Sequence, residues 1–393
     1  MADKKPLRIV LTGGGSGGHI TPILAVAHEL RQLRPEAELI YIGQRGDSLA
    51  DIPAADPNID KIFAVRAGKF RRYHGEGLRQ LLDVPTVLKN LRDAWFVLMG
   101  LFQSWRLMRR LRPAIVFTRG GFVSVPVALG AEMCGIPYIT HDSDAVPSLA
   151  NRLIAKWARL HAVALPKEVY AYPADKTVTV GVPISRKYVP LTTPERAKKM
   201  ASLGLGAYKK VVLLTGGGNG AESLNDALAA TAPELLKRYP DLVIIQLAGR
   251  SLAPALTRKY DDLLSADDRP RVVVKDFVTN LYDYSGVADI VITRAGGTSI
   301  AEFAAQGKAC IVVPNPLLTG GHQTKNAKVL EERNAAVFVQ ESSLKTGSSA
   351  LLTPLCDLLD QPEKTQKLGE TLATFAQPDA ARKLAEVLLE QIK

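Results

Sequence analysis

Gly13-Gly14-Gly15-Ser16-Gly17-Gly18-His19 joins an apolar run, Ile9-Val10-Leu11, to a helical pattern that begins near Thr21-Pro22. Glycine lacks Cβ, so the backbone can take positive φ and a ligand can come close to the main chain. The N–H groups and the dipole at the start of the following helix then form a site for an anion such as phosphate. His19 stands at the mouth of that site with a side chain that titrates near neutral pH. A structural histidine hydrogen-bonded within the turn is the plainer alternative.

Working outward, the pattern runs strand, glycine loop, helix at 23–33, then a second strand at 39–42, which predicts a parallel α/β sheet. A dinucleotide-binding unit would place an acid at the end of that second strand to hold a ribose. The strand ends Gly43-Gln44-Arg45 instead, and the loop lacks the Gly-Lys-Ser/Thr of a P-loop, so NAD binding and ATP hydrolysis are disfavoured.

The same signature returns at the middle of the chain. Lys210 to Thr215 followed by Gly216-Gly217-Gly218-Asn219-Gly220 echoes the opening strand and turn. Two similar α/β domains facing each other across a cleft explain the repeat with the fewest assumptions, and 393 residues suit two domains better than one core. Gly181, Pro183, Pro190 and Pro194 mark a linker near 178–193.

Other glycine turns follow strands in both halves. Arg119-Gly120-Gly121-Phe122 follows the strand at 114–118, and Arg294-Ala295-Gly296-Gly297-Thr298-Ser299-Ile300-Ala301-Glu302 follows the strand at 289–293. The backbone and two hydroxyls of the latter suit a diphosphate. Glu302 either accepts hydrogen bonds from ribose hydroxyls or simply complements the helix dipole. Gln323 and Asn326, near Gly320-Gly321-His322, suit sugar hydroxyls, although loop and cap polarity would explain them too. Asp142 and Asp144 read either as a metal-holding Asp-x-Asp or as turn and cap residues before a helix at 149–157.

Composition narrows the partners. A formal charge of +11 favours an acidic one, whether nucleic acid, anionic lipid or a diphosphate. Compact nucleic-acid motifs are missing and only 6% of residues are aromatic, which argues against nucleic acid. Basic residues crowd 66–112 around Trp95-Phe96-Val97-Leu98-Met99-Gly100-Leu101-Phe102. The uncharged part is too short to span a bilayer, which needs about 20 residues. This stretch is either a helix lying on an anionic membrane or a core-facing helix with a solvated basic side. Three scattered cysteines fit a reducing cytoplasm, and the first residues lead into a strand without the apolar core of a signal peptide.

Taken together, the motifs resemble the peptidoglycan N-acetylglucosaminyltransferases of glycosyltransferase family 28. The matches are Gly-Gly-x-Gly-Gly-His at 14–19, Gly-Gly-Phe-Val-Ser-Val-Pro at 120–126, Ala-Val-Pro-x-Leu-Ala-Asn-Arg at 145–152, Arg-x-Gly-x-x-x-x-x-Glu at 294–302 and His-Gln-x-x-Asn-Ala at 322–327. The resemblance implies the glycosyltransferase B fold, with two Rossmann-like domains at 1–186 and 187–369 and a C-terminal helix, about 370–393, packed back on the first. It implies an inverting, metal-independent enzyme without a cofactor. Such an enzyme transfers N-acetylglucosamine from UDP-N-acetylglucosamine to the 4-hydroxyl of undecaprenyl-diphosphate-linked muramoyl-pentapeptide, at the cytoplasmic face of the membrane. His19 would be the catalytic base. By the same resemblance Ser16, Gly17 and Gly18 face the sugar diphosphate and acceptor, and Gly120 and Gly121 belong to the acceptor side. Gly297, Thr298, Ser299, Ile300, Ala301, Glu302 and the main chain at Val278 hold UDP, and Gln323 with Asn326 holds the sugar.

Three departures bear on substrate contacts. The family's His-Glu-Gln-Asn is His141-Asp142-Ser143-Asp144, which puts Asp144 where an amide meets donor or acceptor. Its Gly-Asn-Pro-Val-Arg is Gly181-Val182-Pro183-Ile184-Ser185, with Arg186 one place late. Its Gly-Gly-Ser-Gln-Gly turn is Gly217-Gly218-Asn219-Gly220, so Gly218 and Asn219 face phosphate without a hydroxyl. Rival readings are a UDP-sugar transferase with a different lipid acceptor, a UDP-sugar epimerase, and a non-catalytic membrane-bound nucleotide-sugar sensor.

Overall fold

The computed structural model describes residues 6–68, 84–316, 321–345 and 349–392, and at 84–90 and 345 the backbone alone. Two compact units result, Met1–Ser185 with Leu317–His322 and Pro378–Lys393, and Arg186–Pro316 with Gln323–Gln377.

In the first unit, strands β1 (Arg8–Thr12), β2 (Glu38–Gln44), β3 (Lys61–Val65), β4 (Ile115–Thr118), β5 (Tyr138–Asp142), β6 (Leu160–Val163) and β7 (Thr177–Thr179) form one parallel sheet in the order β3-β2-β1-β4-β5-β6-β7. Central strands are apolar on both faces because helices cover both, as in doubly wound sheets. Ile9, Leu11, Phe117 and Ile139 pack on one face, and Val10, Ile40, Val116 and Tyr138 on the other. The chain runs to one edge from β1 and then returns to place β4 on its other side. Strand order therefore reverses between β1 and β4, and a crevice opens at their carboxyl ends.

Helices α1 (Gly17–Leu33), α2 (Asp51–Ala54), α3 (Val84–Leu111), α4 (Ser124–Glu132) and α5 (Leu149–Ile154) belong to this unit. The helix expected from Thr21-Pro22 begins four residues earlier, with Pro22 inside it. Proline there removes one internal bond but does not mark the first turn, which the glycines supply. Strand β5 takes Asp142 into the sheet.

The second unit repeats the plan with β8 (Lys210–Thr215), β9 (Leu242–Leu247), β10 (Val272–Lys275), β11 (Ile290–Thr293), β12 (Ala309–Val312) and β13 (Val337–Phe338), ordered β10-β9-β8-β11-β12-β13. The reversal falls between β8 and β11. Both sheets are thus the parallel, Rossmann-like α/β layers predicted by the repeated turn. Strands β3, β6, β7 and β13 were not anticipated. Three of these lie at sheet edges and have weak periodicity, and β7 falls where a linker begins in the sequence reading.

The last helix, Ala380–Glu390, packs on α1 and buries Leu384, Ala385 and Leu388 in the first unit's core. Arg382 approaches the buried Glu29 of α1 at 3.8 Å. Leu384→Ala is expected to cost about 2–5 kcal/mol, measured as the loss of unfolding free energy in denaturant.

Candidate functional site

At the reversal point of the first unit two glycine turns touch backbone to backbone. Gly121 has φ +83°, and a Cβ on it would lie 2.7 Å from the carbonyl oxygen of Gly14. Neither strain nor overlap is tolerable for a larger residue, so glycine is dictated by the close approach. Asp47, after β2, accepts a hydrogen bond from the Gly15 N–H at 2.7 Å, and the Tyr41 hydroxyl donates to the Gly13 carbonyl. The turn is therefore held from beneath by the neighbouring strand.

His19 sits in the first turn of α1. Its Nδ1 lies 3.1 Å from the carbonyl oxygen of Arg119. A carbonyl only accepts, so Nδ1 carries the proton and the Nε2 lone pair is left for a ligand. Burial, followed by the charge of Arg119, lowers the His19 pKa to about 4, and Asp144 opposes that shift. The imidazole is therefore neutral at physiological pH. Arg119 is itself buried, donates to the Ser143 hydroxyl, and feels the charges of Asp144 and Asp142.

A cavity of about 270 Å³ opens here. Gly14, Gly15, Ser16, His19 and Gly121 line part of it, and Val97, Phe122, Val125, Leu149 and Leu153 supply an apolar share of the lining. Ser16 holds the cap position of α1, yet its side chain makes no cap bond. Gly17 and Gly18 are the first residues of that helix, at its positive end. Gly120, at φ +88°, keeps room beside Ser148, Asn151 and His19.

Asp142 has a structural assignment. One carboxylate oxygen accepts from the Tyr172 hydroxyl at 2.8 Å and the other from the Ser148 N–H at 3.0 Å. The carboxylate is committed to the sheet end and to the α5 entry, so the structural alternative holds for it. Asp144 lies half-buried on the turn beyond. Among the described residues no group of three or more His, Cys, Asp or Glu side chains is arranged to hold a metal.

In the second unit, two glycine turns again flank the reversal. Gly217 and Gly220 have positive φ, and a Cβ on Gly220 would overlap the Ala248 carbonyl. Gly218 is half-buried and Asn219 exposed between them. After β11, helix Gly297–Ala305 begins with Gly296 as its cap residue, which puts Gly297, Thr298 and Ser299 at its positive end. Glu302 is buried further along this helix beside Ile300 and Ala301. Burial raises its pKa to about 8, and a hydrogen bond from the Tyr188 hydroxyl opposes the rise.

The turn after β11 is braced by Arg294. Its guanidinium donates to the Val313 carbonyl at 3.1 Å, to the Ser223 hydroxyl at 2.9 Å and to Glu341. The Asn326 amide donates to the Ala295 carbonyl at 3.0 Å, and the Gln323 amide oxygen accepts from the Asn315 N–H at 2.9 Å. Both amides thus use one arm to fix the loops around this site. Val278 is half-buried after β10, and Arg186 is exposed at the unit's first position.

Sequence reading missed Arg119, Asn151 and Tyr188. Arg119 directly precedes the second glycine pair, a signal that was available. Asn151 donates to the His141 carbonyl ten positions back, a contact that only the fold shows, and Tyr188 lies far along the chain from Glu302, which it meets.

The Glycosyltransferase family 28 N-terminal domain matches residues 9–163, and the Glycosyltransferase family 28 C-terminal domain matches residues 211–384. A Bacteroides fragilis protein named UDP-N-acetylglucosamine--N-acetylmuramyl-(pentapeptide) pyrophosphoryl-undecaprenol N-acetylglucosamine transferase is 30% identical over 385 residues, 98% of this chain and 95% of its own. The crystal structure of Acinetobacter baumannii MurG superposes with a TM-score of 0.67 at 26% identity, covering 98% of this chain and all of the other. A UDP-GlcNAc 2-epimerase from Neisseria meningitidis bound to UDP-GlcNAc has a TM-score of 0.66 over 98% of this chain, at 14% identity, which is a likeness of fold alone. With both domain patterns matched in order along the chain and a relative aligned over nearly its full length, the protein belongs to glycosyltransferase family 28.

Proposed function

We propose that the chain transfers N-acetylglucosamine from UDP-N-acetylglucosamine to the 4-hydroxyl of undecaprenyl-diphosphate-linked muramoyl-pentapeptide, with inversion. The observation that carries this reading is His19. It is a neutral imidazole whose tautomer is set by the Arg119 carbonyl, and it lines a cavity at the positive end of a helix. The acceptor hydroxyl gives its proton to Nε2 as its oxygen attacks the anomeric carbon, the bond to UDP breaks, and the pair of electrons leaves with the diphosphate. In the empty site His19 is a weak base because it is buried near a cation. The acceptor's own diphosphate, arriving beside it, restores basicity by placing negative charge nearby. Charge on departing UDP is met by the N-terminus of helix Gly297–Ala305. Gly120, Gly121, Ser16, Gly17 and Gly18 serve the acceptor side in this scheme, and Gly218, Asn219, Val278 and Gly297 to Glu302 serve the nucleotide. The names of the relatives support both substrates.

The outer face of α3 supports docking to an anionic membrane from the cytoplasmic side. Leu91 is 63% exposed, and Trp95, Leu98 and Phe102 are each 60% exposed. Their spacing of four, three and four residues puts them on one helical face. Met108 and Leu111 are buried, so the helix is apolar on two sides, and exposed Arg92, Arg106, Arg109 and Arg110 flank the outer row. A core-facing helix with a solvated basic side would not present such a row. Among the described residues no helix is long and apolar enough to cross a membrane. The part of the basic stretch at 69–83 lies outside the described residues.

Transfer of label from UDP-N-acetylglucosamine to the lipid-linked muramoyl-pentapeptide tests the reaction directly, and an acceptor panel separates it from transferases with other lipid acceptors. His19→Ala is expected to lower kcat by about 10²- to 10⁴-fold with nearly normal UDP binding. In the wild type, the acid limb of kcat/KM attributable to His19 should fall near its free-protein pKa of about 4, with the limb of kcat displaced upward. For Glu302, the carboxyl is protonated in the empty site below about pH 8 and must ionise to accept two ribose hydroxyls. UDP binding should therefore release a proton and tighten as pH rises from 6 towards 8, whereas Glu302→Gln should bind about tenfold more weakly with a flat profile, read by calorimetry. Leu98→Glu with Phe102→Glu should reduce sedimentation with anionic vesicles several-fold while leaving UDP affinity in place.

A further inference from the structure

The cavity beside His19 is divided in character. Its glycines suit a diphosphate, but its apolar lining has no polar task in that chemistry. Val97 comes from α3, Phe122 and Val125 from the second glycine turn and α4, and Leu149 and Leu153 from α5. Val97 lies well around the helix from the exposed row of Leu91, Trp95, Leu98 and Phe102, since successive residues turn by about 100°. This lining is therefore distinct from the proposed membrane face.

Apolar side chains also recur along the chain beyond the cavity lining. Leu149 is half-buried, Leu153 lines the mouth and is 50% exposed, and Trp157, on the turn that follows α5, is 45% exposed. Lys156 holds its ammonium 5.9 Å from the Trp157 ring centroid, and Arg152 is exposed beside Leu153. A row of apolar side chains that starts next to an anion site and ends in a tryptophan among cations matches a molecule with a charged head and a hydrocarbon tail. Tryptophan with flanking basic residues is also the usual composition where protein meets lipid headgroups.

From this arrangement we infer that the Val97, Phe122, Leu149 and Leu153 lining binds the first isoprene units of a polyprenyl diphosphate, with Trp157 guiding the chain towards the bilayer. The inference rests on the proposed lipid-linked acceptor and assigns its hydrocarbon to a site separate from the α3 face. The carrier is thereby recognised as well as the sugar. The diphosphate lies against the glycines, and the adjacent carbons displace water from the apolar lining. Burial of apolar carbon beside the reacting head holds the acceptor in register with His19 at no cost in specific polar contacts.

The test compares two water-soluble acceptors with the same diphospho-muramoyl-pentapeptide head, one a ten-carbon prenyl ester and the other a methyl ester, assayed without vesicles. Wild-type protein is expected to show a KM about tenfold or more lower for the prenyl acceptor, from the buried hydrocarbon. Leu153→Asn, a half-exposed and neutral change, should collapse that preference, and Trp157→Ser should weaken it less. Leu98→Glu with Phe102→Glu, on the α3 face, should preserve it. A preference that persists in Leu153→Asn, or no preference in the wild type, overturns the isoprene subsite. So would a Leu153→Asn defect seen only with vesicles, because the row would then be a membrane contact. Failure of the wild type to use either short acceptor or the full-length lipid would instead remove the underlying functional reading.

Discussion

The contact between Gly121 and the Gly14 carbonyl is the constraint on which the first unit's site depends. It brings the turns after β1 and β4 together at the reversal of strand order, where a parallel sheet has no helix to cover its carboxyl edge. Any Cβ at Gly121 would push the turns apart and break the alignment of the α1 terminus with Arg119. The rest follows from this closeness. The Arg119 carbonyl can reach Nδ1 of His19, the tautomer is set, and Nε2 is left for the cavity.

Electrostatics around His19 are balanced by neighbours that also support the fold. Burial and the Arg119 cation hold the imidazole neutral, while Asp144 pulls the other way. Arg119 is anchored by Ser143, and Asp142 behind it is tied to Tyr172 and Ser148. The unusual His141-Asp142-Ser143-Asp144 segment therefore reads as a set of supports for a buried arginine. The second unit uses a different device, in which Arg294 and Glu341 brace the turn and Glu302 is kept buried against Tyr188.

Apolar surface is distributed with the same economy. Helix α3 buries Met108 and Leu111 on one side, exposes four large apolar residues on another and lends Val97 to the cavity. Such a helix has a weak amphipathic signature, which is why the sequence supports both a membrane-lying and a buried reading. Only the position of its neighbours separates the two faces.

The amino-acid sequence by itself determined the layering, the repeat and the position of the glycine turns, because these rest on local rules. Apolar runs buried on both faces become parallel strands, and glycine-rich links between strand and helix leave the main chain open to anions. His19 and Glu302 were visible for the same reason, each lying a few residues from a turn. The tertiary structure decided what those residues are. The tautomer of His19 depends on a carbonyl 100 positions away, the proton on Glu302 depends on burial that outweighs the hydrogen bond from Tyr188, and the role of Asp142 depends on Tyr172. The start of α1, the edge strands and the apolar lining along α5 were likewise illegible, since burial and pairing are set by partners distant in the chain. Local pattern specifies which backbone a segment adopts, but charge state and exposure depend on what the fold brings alongside it.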